Sequence, residues 1–167
     1  MKPLLTALAL LALTGPAVAQ TQPQDPPLPT PSAPAPPYGD PITLEQAQTL
    51  VDQAIEAGRA RGLRLAVAVV EPNGALVAFG RMDDVQYGSI AVAQAKARTA
   101  ALFRTPTASL EQRVLDGRTV ILSLPDMTPV AGGVPIVRQG RIVGAIGVSG
   151  ATSAQDAEVA LAALNGG

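Results

Sequence analysis

The stretch GGVPIVRQGRIVGAIGVSG, residues 132–150, decides the fold that this chain is expected to adopt. Its two halves, residues 134–138 and 141–149, are rich in β-branched side chains, which are typical of strands. Gln139 and Gly140 between them form a two-residue turn signal, so the stretch predicts a β-hairpin. Glycines at 144, 147 and 150 indicate close approach to the second strand, either by a helix packed on the sheet or by a ligand.

The segments around this hairpin predict an α+β fold. Hydrophobic periodicity and turn residues predict a helix at 43–62 with a Thr43–Gln46 capping box, strands at 65–71 and 75–81, an alanine-rich helix from Ser89 as N-cap to 104, a short helix at 109–116, a strand at 119–124, and a last helix at 153–164. Consecutive hairpins favour an antiparallel sheet with helices packed on its faces.

The N-terminal region predicts an exported protein. Residues 1–19 combine Lys2, a short apolar run and an Ala17-Val18-Ala19 cleavage site, which is the pattern of a signal peptide. We therefore expect a periplasmic or secreted protein with no membrane span after signal removal. We expect residues 20–41 to form a proline-rich linker and residues 42–167 to form the folded domain.

Composition excludes several classes of function. Lysine and arginine number 12 against 13 acidic residues, so no basic field is available to bind nucleic acid. The chain contains no histidine and no cysteine. A Ser-His-Asp triad, thiol chemistry and a disulfide framework are therefore excluded.

A series of motifs in the predicted domain resembles the GlcG/HbpS family. The motifs are Arg81-Met82-Asp83, the AxxKAxTAA pattern at 93–101, GGVPI at 132–136, GAIGVSG at 144–150, and Gln155-Asp156 followed by Val159-Ala160. They cover nearly the whole predicted domain in order, which is more specific than any one motif alone.

The resemblance implies a profilin-like fold of two or three layers with a five-stranded antiparallel sheet, and a homo-oligomer. It also implies haem as a candidate ligand and a sensor protein as a candidate partner, because relatives include an extracellular haem-binding protein that partners a sensor kinase. A further relative is the haem-binding tail domain of a corrinoid adenosyltransferase. Others belong to glycolate or diol utilisation.

Lys96 is the first candidate site residue, because it is the only lysine outside the signal peptide and faces a mostly apolar helix stripe. Its ammonium either extends to the rim of that stripe or pairs with a carboxylate, such as a ligand carboxylate or a haem propionate. Arg81 and Asp83 form either an exposed ion pair or an anion clamp. Together with Tyr87, and with Gly133 and Ser149 from the glycine-rich motifs, Lys96 and Arg81 make up a candidate site for a small anionic ligand.

Haem iron takes axial ligands from His, Cys, Met or Tyr, and the first two are missing here. Tyr87 and Met82 are therefore the candidate metal ligands, with Met127 and Lys96 as further options. A purely structural role also explains the presence of Tyr87 or of Met82.

Three functions remain open from the sequence. The first is an exported, non-catalytic binding or sensory module for haem or a small carboxylate. The alternative is an enzyme that acts on a small hydroxy or oxo acid or on haem, with Lys96 and Arg81 in its site. The third is a purely structural oligomeric domain.

Overall fold

The computed structural model describes residues 34–166. The predicted signal peptide and most of the predicted linker lie outside this range. The helices and strands are α1 (Leu44–Ala60), β1 (Ala66–Val70), β2 (Leu76–Arg81), α2 (Gly88–Phe103), α3 (Thr107–Leu115), a 3₁₀ helix (Thr119–Ser123), β3 (Gly133–Arg138), β4 (Arg141–Ser149) and α4 (Ser153–Asn165). No helix in this part of the chain is both long and apolar enough to cross a bilayer.

The four strands form one antiparallel sheet in the order β2-β1-β4-β3. The predicted hairpin is confirmed as β3 and β4. Gln139 and Gly140 at its turn have φ values of 50° and 72°. Two successive positive φ values are the conformation in which a two-residue turn matches the twist of its strands.

Helices cover both faces of the sheet, so the α+β prediction is confirmed. Alternate residues of β1 point to opposite faces. Val67 and Val69 pack with α1 and α4, whereas Ala66 and Ala68 pack with the alanines of α2.

Alanine and glycine allow α2 to lie close to the sheet. A Cβ atom added at Gly147 would collide with the Ala93 carbonyl oxygen and lie 2.9 Å from the Ala97 Cβ. At this position the helix-packing interpretation of the glycine spacing is therefore confirmed.

The expectation of five strands is wrong for the described residues, because the segment predicted as the strand 119–124 forms the 3₁₀ helix instead. This helix packs against α3 and pairs with no sheet edge. Ile121 is buried, whereas Val120 and Leu122 are exposed. Strand preference depends on packing against a neighbouring strand, which this segment lacks.

The predicted start of α2 is also shifted. Tyr87, not Ser89, occupies the N-cap position of α2, and the buried Ser89 hydroxyl accepts a hydrogen bond from Gln86. The capping box of α4 is formed by Thr152 and Gln155. The Thr43–Gln46 box of α1 is confirmed.

Residues 34–41, which belong to the predicted linker, pack against the domain. The Pro37 carbonyl accepts from the Ile142 N–H at 2.9 Å, and the Gly39 N–H donates to the Ile142 carbonyl at 2.9 Å. The Tyr38 hydroxyl donates to the Ala101 carbonyl at the end of α2 at 3.0 Å. This segment therefore connects β4 with α2.

Candidate functional site

Lys96 lies in the interior, on the face of α2 that packs against the sheet. Its side chain is 2% exposed, and its Nζ lies 2.7 Å from Asp156 Oδ2. The Nζ also donates to the Val148 carbonyl at 3.1 Å. The ammonium therefore does not extend to the rim of the helix. Its observed partners are protein groups.

The carboxylate that pairs with Lys96 belongs to Asp156, and this pairing was not predicted from the sequence. It lies in the first turn of α4, and its Oδ1 accepts from the Ala151 N–H at 3.0 Å. Burial raises the pKa of Asp156 above its ordinary value of 3.8, although the hydrogen bond and charge of Lys96 and the Ala151 N–H act in the opposite direction. The pair joins α2 to the start of α4.

Gly133 and Ser149, two of the expected ligand contacts, are also buried. A Cβ atom at Gly133 would collide with the Lys96 carbonyl oxygen, so Gly133 lies directly against the backbone of α2. Its N–H donates to Thr107 Oγ1 at 2.8 Å. Ser149 is 5% exposed and pairs with Ala66 of β1.

Arg81 lies elsewhere, in a surface depression that we call the arginine concavity. Its volume is about 480 Å³, and its lining residues are Ile55, Arg59, Arg64, Arg81, Met82, Asp83 and Asp84. This volume is within the range of small-molecule sites, about 300–1,000 Å³. Three guanidinium groups and two carboxylates therefore meet at one open surface.

A second depression, which we call the Tyr87 depression, adjoins the first. Its volume is about 550 Å³, and it is lined by Arg81, Asp83, Asp84, Val85, Gln86 and Tyr87. Arg81, Asp83 and Asp84 line both depressions. The Tyr87 side chain is exposed (82%) and stands at the start of α2.

The β1–β2 pairing positions the arginine concavity. Ala66 lies opposite Arg81, and the Met82 N–H donates to the Leu65 carbonyl at 3.0 Å. Arg64 is thereby held beside the end of β2. Arg59 joins it from the last turn of α1.

The structure divides the predicted site residues into two groups. Arg81, Met82 and Tyr87 line the two adjoining depressions, and Lys96 and Gly133 lie together in the interior. Met127 lines neither depression. Among residues 34–166, no three His, Cys, Asp or Glu side chains are grouped as metal ligands.

Arg59 and Arg64 are two further residues of the arginine concavity that were not predicted from the sequence. The Asn73-Gly74 turn was the one sequence signal that could have indicated Arg64. Two strands that pair in antiparallel fashion around this turn place the start of β1 next to the end of β2. Arg64 precedes the first of these strands, and Arg81 ends the second. The contribution of Arg59 depends on how α1 packs on the sheet, which the sequence does not define.

Comparison with known proteins identifies the family. A family described as "Haem degrading protein HbpS-like" matches residues 42–165. Protein GlcG of Escherichia coli K12 is 41% identical over 108 residues, which is 65% of this chain and 81% of that protein.

Two solved structures are similar throughout the domain. A double mutant of Streptomyces reticuli HbpS has 30% sequence identity and a TM-score of 0.70, covering 90% of this chain and 97% of that one. The PduOC:heme complex has 26% identity and a TM-score of 0.67, covering 75% of this chain and 94% of that one. The motif series, the fold and these matches agree, and the chain belongs to the HbpS-like family.

Proposed function

We propose that this chain is an exported, non-catalytic module that binds haem or a similar anionic ligand at the arginine concavity and the Tyr87 depression. The family description and the haem complex of the PduO relative support haem as the ligand class. The signal-peptide pattern supports export. A homo-oligomer and a sensor-protein partner are part of the proposal on the basis of the family resemblance.

The observation that carries this proposal is the position of Arg81 between the two depressions. Its guanidinium makes no ion pair with any residue in the range 34–166. Guanidinium groups bind carboxylates through two parallel hydrogen bonds, and haem carries two propionates. Arg59 and Arg64 supply further positive charge at the same surface.

The residues at these depressions fit haem in two further respects. Tyr87 offers an exposed phenol, and tyrosine is an established axial ligand of haem iron. Ile55, Met82 and Val85 supply apolar wall on either side of Arg81. When bound, haem would supply an iron centre held by Tyr87, with the arginines orienting its propionates.

Lys96 has no direct ligand contact in this proposal. Its ammonium is buried and already paired, and Lys96 does not line either depression. Moving a ligand carboxylate to Lys96 would require displacing Asp156 from the interior. The role of Lys96 in this account is to hold α2, which carries Tyr87 at its start.

Hemin titration of the purified domain tests the proposal. We expect a Soret shift at micromolar hemin in the unchanged protein. Tyr87→Phe should alter the band by removing the iron ligand, and Arg81→Gln should weaken binding by removing a propionate partner. Arg113→Gln, an exposed arginine on α3, is the matched control and should behave like the unchanged protein. No spectral change with hemin would reject the proposal.

A second candidate function is degradation of haem as a substrate, which the family description favours. The same titration separates the two functions when a reductant and oxygen are added. A binding module retains its Soret band, whereas a degrading enzyme loses it with repeated turnover. The alternative of a small hydroxy or oxo acid as substrate would instead require turnover that depends on Arg81.

A further inference from the structure

The edge strand β2 carries three side chains on the face of the sheet on which α2 lies. In chain order they are Leu76, Phe79 and Arg81, and their cross-strand partners in β1 are Val70, Ala68 and Ala66. Residues directly opposite each other in a pair of strands share a face, and these partners pack with the alanines of α2. We call the three β2 side chains the β2 row.

The helix α2 leaves most of the β2 row uncovered. It packs against β1, β3 and β4, whereas β2 lies beyond them at the edge of the sheet. Leu76 is 50% exposed, and Phe79 is partly exposed beside the alanines of α2. The opposite face of β2 is covered by α1. A Cβ atom added at Gly80 on that face would lie 2.6 Å from Val51 Cγ1 and 2.8 Å from Ile55 Cδ1.

The β2 row leads directly into the proposed ligand site. Arg81 ends the row and lines both depressions. Phe79 precedes Arg81 by two residues on the same face, which is about 7 Å along the strand, and Leu76 lies up to about 17 Å from Arg81. A ligand whose carboxylate pairs with Arg81 therefore has an apolar surface beside that carboxylate.

We propose that the β2 row is the surface against which the flat face of a tetrapyrrole packs while a carboxylate of the same ligand pairs with Arg81. Phe79 supplies an aromatic ring, which packs favourably on another ring system, and Leu76 supplies apolar area at the far end of the row. The β2 row thereby narrows the ligand class of the proposed function, on which this inference rests, from anionic ligands in general to tetrapyrroles. A small hydroxy or oxo acid held by Arg81 would leave the row uncovered.

Fluorine NMR tests this contact, because the chain contains only two phenylalanines, Phe79 and Phe103. Protein labelled with 4-fluorophenylalanine gives two signals, and Phe103→Leu assigns them. Gallium protoporphyrin is diamagnetic, so its ring current should shift the Phe79 signal without broadening it. Phe103 ends α2, about 24 Å along the helix from Tyr87, and its signal should keep its position. Millimolar butyrate should shift neither signal.

A matched pair of leucine variants measures the contribution of the β2 row to affinity. Leu76 is 50% exposed and Leu161 on α4 is 49% exposed, so replacement of either residue by glutamine should leave the fold intact. Leu76→Gln should weaken hemin binding by about threefold to tenfold, because it removes apolar area from the ligand contact. Leu161→Gln should leave hemin affinity unchanged.

Three results would overturn the role of the β2 row while leaving hemin binding itself intact. A Soret shift with hemin but no shift of the Phe79 signal with gallium protoporphyrin would mean that the tetrapyrrole binds without contacting β2. Equal hemin affinities of Leu76→Gln and Leu161→Gln would remove the energetic contribution of the row. A Phe79 signal that follows protein concentration instead of porphyrin would mean that a second copy of the chain covers the row. Absence of any Soret shift would instead reject the proposed function together with this inference.

Discussion

The Lys96 ammonium and the Asp156 carboxylate form an ion pair of 2.7 Å in the interior, 60 residues apart in sequence. Lys96 also donates to Val148, and Asp156 also accepts from Ala151. The pair thus connects α2, the end of β4 and the start of α4. It joins the lysine of the AxxKAxTAA motif to the aspartate that follows Gln155.

Removing one partner of this pair should strongly destabilise the domain. Lys96→Met leaves the Asp156 carboxylate buried without its cation, and breaking a buried pair in this way costs about 3–5 kcal/mol. Adding Asp156→Asn should recover part of the loss, because the second charge is then removed and the amide oxygen can still accept from Ala151. Urea unfolding of the single and double variants measures both effects.

The Arg98–Asp126 ion pair provides the control, because its side chains are 43% and 47% exposed. Arg98→Met should cost less than about 1 kcal/mol. If Lys96→Met costs no more than Arg98→Met, the buried pair does not have the structural role assigned to it.

Stability should depend on pH through Asp156. Burial raises the pKa of this carboxyl above 3.8, so between 3.8 and the folded-state pKa the folded protein binds more protons than the unfolded chain. The contribution of Asp156 to the free energy of unfolding should therefore fall as pH rises through that window and level off above it.

Urea unfolding at a series of pH values isolates this contribution when unchanged protein is compared with Asp156→Asn. The difference in unfolding free energy between the two proteins should decrease as pH rises through the window. A difference that grows with pH would mean that the folded-state pKa lies below 3.8 instead.

The close packing of α2 on β4 predicts opposite effects for two glycine substitutions. Gly147→Ala forces a Cβ atom against Ala93 and Ala97 and should destabilise by about 1–3 kcal/mol. Gly88→Ala at the start of α2 meets no atom within 4 Å and should stabilise by about 0.5–1 kcal/mol. Thermal unfolding compares the two variants. Equal effects would argue against helix–sheet contact as the reason for Gly147.

The β3–β4 hairpin and the helices were predictable because their signals are local. The Gln139-Gly140 turn, the β-branched residues of the strands and the Thr43–Gln46 capping box each lie within a few residues. The segment at 119–124 was mispredicted because its β-branched residues indicate a strand, whereas the outcome depends on whether a sheet edge is within reach.

The candidate site was predictable only in part. Arg81 and Tyr87 were identified from the motifs and ligand chemistry, and they line adjoining depressions. Lys96 was correctly placed on an apolar stripe, but Asp156 was not identified as its partner. Pairing the two residues required the packing of α4 beside β4, which no local pattern encodes.

Paramagnetic broadening by hemin is the most direct test of where the ligand binds. The amide signals of residues 81–87 and of Arg64 should broaden selectively with hemin, and they should remain sharp with gallium protoporphyrin, whose metal is diamagnetic. Hemin binding that broadens signals around Arg138 and Leu164, or around Gly133 and Ser149, while leaving residues 81–87 sharp would contradict the proposed site.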